Sequence, residues 1–127
     1  MSVYTVLHGE EVFLERWSIR ESDRGTRHFV GFDIRRGDGR VSTPINEFDP
    51  ATRTGKTENG SRYQLIGRAG HDSDAEYVWR IAIRAWGIGS WTDVTAELVP
   101  NWRQGLLLAS GDGDEDAESG EPEDGMI

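Results

Sequence analysis

Residues 110–127 carry eight of the chain's twenty-three carboxylates and not one Lys or Arg. Their composition is Gly, Asp, Glu, Ser and Pro with almost nothing apolar. Too little surface can be buried there to offset the entropy of ordering, so this acidic tail is expected to stay disordered. The fold must therefore come from residues 1–109. That body holds 15 acidic against 14 basic residues, so the formal charge of −9 is mostly a property of the tail. A folded surface that imitates nucleic acid is not expected. One domain of this size can bury a core without disulfides or metal.

The chain has no cysteine, which removes a disulfide framework, thiolate zinc, iron–sulfur clusters and cysteine nucleophiles together. Charges at Glu10, Glu11, Glu15 and Arg16 interrupt the first twenty residues, and no apolar h-region or cleavage pattern is present. No stretch approaches the ~18 apolar residues of a membrane span. The longest apolar run near the C-terminus, Leu106-Leu107-Leu108-Ala109, is far too short. These patterns predict a cytoplasmic protein.

The first two-thirds reads as a β-meander. Residues 3–7 form a short apolar segment. Residues 12–20 follow, with Phe13, Trp17 and Ile19 on one face and Glu15 as an exception. Residues 28–36 alternate most cleanly: Val30, Phe32 and Ile34 point one way, Phe29, Gly31, Asp33 and Arg35 the other. Asp38-Gly39 and Asn59-Gly60 are dipeptides suited to two-residue hairpin turns. Taken so, they place Phe32 opposite Ile45, Ile34 opposite Thr43, Lys56 opposite Tyr63 and Thr54 opposite Leu65. Pro44 cannot donate to a ladder, so its segment is expected at an edge or bulge, as a break between hairpins.

Residues 73–86 admit two readings. As a strand, Tyr77, Trp79, Ile81, Ile83 and Ala85 share one face. As a helix, the apolar residues cover an arc of roughly 240° and leave Glu76, Arg80 and Arg84 outward. Ser73-Asp74-Ala75-Glu76 has the form of a capping box, and the length exceeds typical strands, so helix is the expectation. The fold class expected is α+β: an antiparallel meander of five or six strands, able to curl toward a barrel, with one packed helix.

Five Trp are present, four of them at positions 79, 86, 91 and 102. Most should join the core, yet the apolar arc exceeds what one small sheet can cover. The surplus around Trp79, Ile83 and Trp86 is the candidate partner surface. In the tail, Asp112, Asp114, Glu115, Asp116 and Glu118 are candidates for contact with basic residues, because like phosphates they present dense negative charge. Among the histidines, His8, His28 and His71 show no metal spacing, and His71-Asp72-Ser73-Asp74 is better explained as a turn that caps a helix. No nucleophile elbow, Walker loop or dinucleotide fingerprint is present, so no catalytic, cofactor or metal residue is assigned. Arg16, Arg20, Arg35, Arg36 and Arg62 are read as parts of mixed, solvated sheet faces, with Glu15 and Asp33 between them.

The strings Asp38-Gly39-Arg40-Val41-Ser42-Thr43, Phe48-Asp49, Asn59-Gly60-Ser61-Arg62-Tyr63-Gln64-Leu65 and Ala75-Glu76-Tyr77-Val78-Trp79 resemble a type of short uncharacterised proteobacterial protein found on chromosomes, plasmids and prophages. The likeness spans about a third of the chain. It implies no enzyme and no cofactor, and points to a mobile-element accessory protein. By analogy of class alone, such proteins include anti-CRISPR and antirestriction inhibitors. The function expected is a non-catalytic binding protein whose partner is a basic nucleic-acid-binding complex, without direct nucleic-acid or membrane contact. A homodimer serving as a structural or adaptor module is the alternative, and a small hydrolase built on His28 or His71 a distant third.

Overall fold

The structure, a computed structural model, describes residues 9–106. In chain order the elements are β1 (Glu11–Ser22), β2 (Arg27–Asp33), β3 (Asp38–Val41), β4 (Ile45–Asp49), β5 (Thr54–Thr57), β6 (Arg62–Leu65), α1 (Ser73–Ala85), β7 (Trp91–Asp93) and a single helical turn, α2 (Thr95–Leu98). The strand expected at residues 3–7 and the acidic tail at 110–127 lie outside the described residues.

The strands form one sheet in the order β3-β2-β1-β6-β5-β4, with β7 paired to the end of β1. It is mixed rather than an antiparallel meander throughout, because β1 and β6 run parallel from Glu11↔Arg62 to Leu14↔Leu65. The cause lies in the link between β3 and β4. Ser42 still donates its N–H to Phe29 of β2 at 2.9 Å, while Ile45 is already paired with Thr57 of β5. Three residues, Ser42, Thr43 and Pro44, carry the chain from one ladder to the other without reversing it. Two further antiparallel reversals then bring β6 parallel to β1. Pro44, with no N–H to give, stands at this break, and β4 is an edge strand as a proline there requires. The two edge strands are consecutive in the chain but unpaired with each other, so the sheet is not closed.

The main core lies on one face of the sheet: Val12, Leu14, Trp17, Ile19, Phe29, Tyr63 and Leu65, closed by Val94 and Val99 from the C-terminal segment. Apolar positions along β1 therefore run 12, 14, 17 and 19, not 13, 17 and 19. A bulge changes the phase: between Glu15↔Phe32 and Ser18↔Val30, two residues of β1 face one of β2. Arg16 adopts φ +48° there, and Gly31 sits opposite, where a Cβ would lie 3.1 Å from the Glu15 carbonyl and the Trp17 Cα.

Both expected hairpin registers shift. Asp38-Gly39 is not the turn; the pairs are Asp33↔Asp38 and Phe32↔Gly39. The Asp33 carboxylate accepts from the N–H groups of Arg35 and Arg36, and Gly37 takes φ +74°, so the reversal falls earlier. Asn59-Gly60 does lie in a turn, but the loop has three residues and pairs Lys56 with Arg62 and Gly55 with Tyr63. Gly60 donates to the Thr57 carbonyl and has φ +87°, the bulged turn that follows two-residue loops in frequency.

On the other face α1 covers β2 and β3 through a second cluster of Val30, Ala75, Trp79 and Ile88, with Val41 and Ile83 beside it. The helix reading of residues 73–86 holds, with its cap one residue earlier than the capping box suggests. Asp72 is the N-cap: one carboxylate oxygen accepts from Ala75 N–H at 3.0 Å while the other accepts from Arg16. At the far end Gly87 (φ +68°) and Ile88 donate to the carbonyls of Arg84 and Ile83, a Schellman motif that folds Ile88 back onto the cluster.

Candidate functional site

The sheet residues under α1 are polar as well as apolar. Beyond the bulge β1 turns Trp17 and Ile19 into the main core, and Ser18, Arg20 and Ser22 toward α1. Arg20 is 1% exposed, and its two terminal nitrogens meet the two carboxylate oxygens of Glu76. Its Nε donates to Ser18 Oγ at 3.2 Å. The guanidinium also lies 4.7 Å from the Trp91 ring centroid and 5.4 Å from that of Trp79. Hydrogen bonds from Arg20 hold the Glu76 carboxyl below the usual carboxylate range, against the opposing effect of burial. A buried cation needs its partner and its donors' acceptors together, and Arg20 has both. Glu76, expected outward, thus faces in, because capping by Asp72 leaves it free for Arg20.

Toward the C-terminus of α1, Trp86 stacks on His28, with centroids 4.9 Å apart and planes 20° from parallel. The imidazole is buried and held at both nitrogens: Nδ1 lies 2.9 Å from the Ser42 carbonyl oxygen and Nε2 2.9 Å from Thr26 Oγ1. A carbonyl can only accept, so Nδ1 carries the proton and the Thr26 hydroxyl donates to Nε2. Burial pushes the imidazole below its ordinary pKa. Beside it opens a hollow of about 280 Å³ bordered by Arg24, Pro44, Glu58 and Trp86. His28 is committed at both nitrogens to this packing.

The three apolar candidates on α1 separate. Trp79 is 1% exposed, edge-on against Trp91 at 5.5 Å, and holds the helix to the sheet. Ile83 is half-buried against the same cluster. Trp86 keeps 38% of its surface exposed. The larger exposed groups are two that belong to the apolar arc expected to face inward: Tyr77 at 60% and Ile81 at 51%. They lie one turn apart on the face that also carries the exposed Arg80 and Arg84. Trp91, at 40%, adds a third aromatic from the segment after α1. Their signal was present in the apolar arc, which is too wide for one sheet contact, but the arc does not say which edge of it is left over. The candidates Asp112, Asp114, Glu115, Asp116 and Glu118 lie outside the described residues.

The arginines are not one solvated class. Arg20 and Arg53 are fully buried, Arg16 pairs with Glu15 and Asp72, and Arg40 pairs with Glu10 and Asp33. His71 is exposed at the turn that Asp72 caps. Among the described residues no group of three or more His, Asp or Glu is placed to hold a metal ion, and no helix is long and apolar enough to cross a membrane.

Comparison with protein-family models, with curated proteins and with solved structures finds no match to this chain.

Proposed function

We propose that this chain is a non-catalytic protein-binding module that docks a partner on the outer face of α1. One observation carries the reading. Among the described residues six large hydrophobic side chains are exposed, and four of them, Tyr77, Ile81, Trp86 and Trp91, come from residues 77–91. Three aromatics and an isoleucine, together with Arg80 and Arg84, have the composition of an interface centre, where Trp, Tyr and Arg supply most of the binding energy. The acidic residues 110–127 favour a partner with a basic surface, of the kind found in nucleic-acid-handling complexes such as those a mobile-element inhibitor would block. Carboxylates there would steer encounter more than they would add affinity.

The test uses the full chain, wild type beside Tyr77→Ser/Ile81→Ser, in capture from a bacterial lysate at low and high salt. Both positions are solvated, so the double variant should keep its stability within about 0.5 kcal/mol. A nucleic-acid-handling complex held by the wild type and lost from the variant supports the reading; equal retention by both sinks it.

A homodimer through the same face is the second reading. Asp74 at one end of this face and Arg84 at the other would pair across an antiparallel α1–α1 contact. Sedimentation showing a monomer at high concentration removes it.

A further inference from the structure

A second apolar surface, to which no residue of α1's docking face contributes, does not enter the reading above. It is a groove of about 440 Å³ walled by Trp17, Ala69, Ala96 and Trp102, with His71 and Asp93 at its margin. Apolar groups dominate its lining, and a water-filled groove between two indoles is a cost that any apolar segment of the right length would relieve.

We propose that the occupant is the chain's own run Leu107-Leu108-Ala109, packed back between Trp17 and Trp102. Four observations converge on it. The described chain ends at Leu106, four residues after a wall of the groove. That last stretch is pinned beside it: Ala69 N–H donates to the Trp102 carbonyl at 2.9 Å, Arg53 donates to the Asn101 carbonyl at 3.0 Å, and Gly105 lies against Gly67. The next three residues are apolar, and they reach roughly 10 Å from Leu106, enough to enter the groove and not enough to leave its neighbourhood. An attached segment of this kind binds at high effective concentration without needing strong contacts. Charge agrees with shape. Arg68 and Arg103 flank the Ala69–Trp102 contact, are exposed, and form no ion pair among the described residues. A segment leaving the groove would carry Asp112, Asp114 and Glu115 past them.

The occupant is thus a seam between the folded body and the acidic residues, which sets where on the surface those charges start. The test is the indole N–H region of the ¹H–¹⁵N spectrum of the full chain, wild type against Leu107→Asp/Leu108→Asp. The expected result is a shift of the Trp17 and Trp102 signals beyond a line width, with Trp79, Trp86 and Trp91 unmoved, and a thermal midpoint lower by roughly 4 °C. If that variant loses its fold, Leu107→Ala/Leu108→Ala is read instead, and a smaller shift of the same two indoles is expected. Unmoved Trp17 and Trp102 signals in a folded variant overturn the proposal, as do shifts confined to Trp86 and Trp91. Wild-type Trp17 and Trp102 signals that change on dilution would also overturn it, since the segment would then sit in another copy. Because the two sets of indoles report on different faces, this outcome is separate from that of the α1 docking test.

Discussion

Arg53 shows how much one side chain can hold. It is fully buried with φ +57°, its ring-facing guanidinium lies 5.3 Å from the Trp17 centroid, and its two terminal nitrogens donate to the carbonyls of Gly67 and Asn101. Burial lowers its pKa from the ordinary value, yet a guanidinium stays charged throughout the accessible range. Those bonds tie the loop after β6 to the segment after α2. Arg53→Ala removes one of two donors from each carbonyl, leaving Trp17 Nε1 on Gly67 and the Gln104 N–H on Asn101, and opens a cavity beside Trp17, a loss of about 3 kcal/mol. Arg53→Lys should recover less than half of that, because one ammonium cannot reproduce the fork; chemical denaturation of the three proteins checks both values. His28 makes a prediction in pH. Its folded pKa is lowered, so the unfolded chain binds the proton first as pH falls. Its contribution is fully present above 6.5, declines below 6.5, and is gone once pH has passed the lowered folded value. Glu76, lowered from 4.5, adds a second and more acidic loss by the same sign. Urea midpoints measured on either side of pH 6.5 should therefore fall with acid in the wild type and stay flat in His28→Gln.

At the scale of elements, the joint between α1 and β3 is closely packed backbone against backbone. A Cβ on Gly39 would stand 2.4 Å from the Ala75 nitrogen and from the Asp74 carbonyl carbon, both backbone atoms that cannot step aside singly. Gly39→Ala should cost about 2–3 kcal/mol by pushing the helix N-terminus off the sheet, with a near-ultraviolet circular dichroism change from Trp79 as the structural readout. Asp72→Ala removes a cap and the Arg16 pair together, and should cost about 1–1.5 kcal/mol in the same denaturation assay. What sequence pattern could and could not supply is visible in these pieces. The helix at residues 73–85 was legible from its cap-forming cluster and its length. The outward Tyr77 and Ile81 were not, since a wide apolar arc looks alike from either side. The inward face of β1 departs from simple alternation for a definite reason: a bulge inserts one residue, and alternation carried straight through Glu15 and Arg16 assigns every earlier side chain to the wrong face.

At the scale of the whole molecule, the edges of the sheet and the charge beyond it set what can associate. β3 is covered by α1, whereas β4 is short, begins after Pro44, and carries a register shift between Ile45 and Glu47, features that discourage pairing with another chain. Association is then left to side-chain surfaces, which is where Tyr77, Ile81 and Trp91 stand. The charged residues should act separately from these. Neutralising Asp112, Asp114, Glu115, Asp116 and Glu118 to Asn and Gln is expected to leave unfolding free energy within about 0.5 kcal/mol, because a stretch with almost nothing apolar to bury contributes little to stability. The same change should flatten the salt dependence of partner association, measured as the on-rate at two ionic strengths.

Local chemistry was enough to say that the stretch 28–36 alternates, which holds as far as Asp33, that Pro44 breaks a ladder, that a turn lies at Asn59-Gly60, that a helix begins within a residue of Ser73, and that the charge resides in residues 110–127. Each of these depends on a few neighbouring residues: an alternation, a missing N–H, a φ tolerance, a cap, a composition. The parallel pairing of β1 with β6, the burial of Arg20 against Glu76 and of Arg53 against two carbonyls, and the choice of which apolar edge of α1 remains exposed were decided only by the tertiary structure. They join residues as far as 56 positions apart, and no local rule encodes which distant partner completes a buried charge or a strand edge. That is settled by a chain that continues from β3 into β4 without reversing and so brings β6 beside β1.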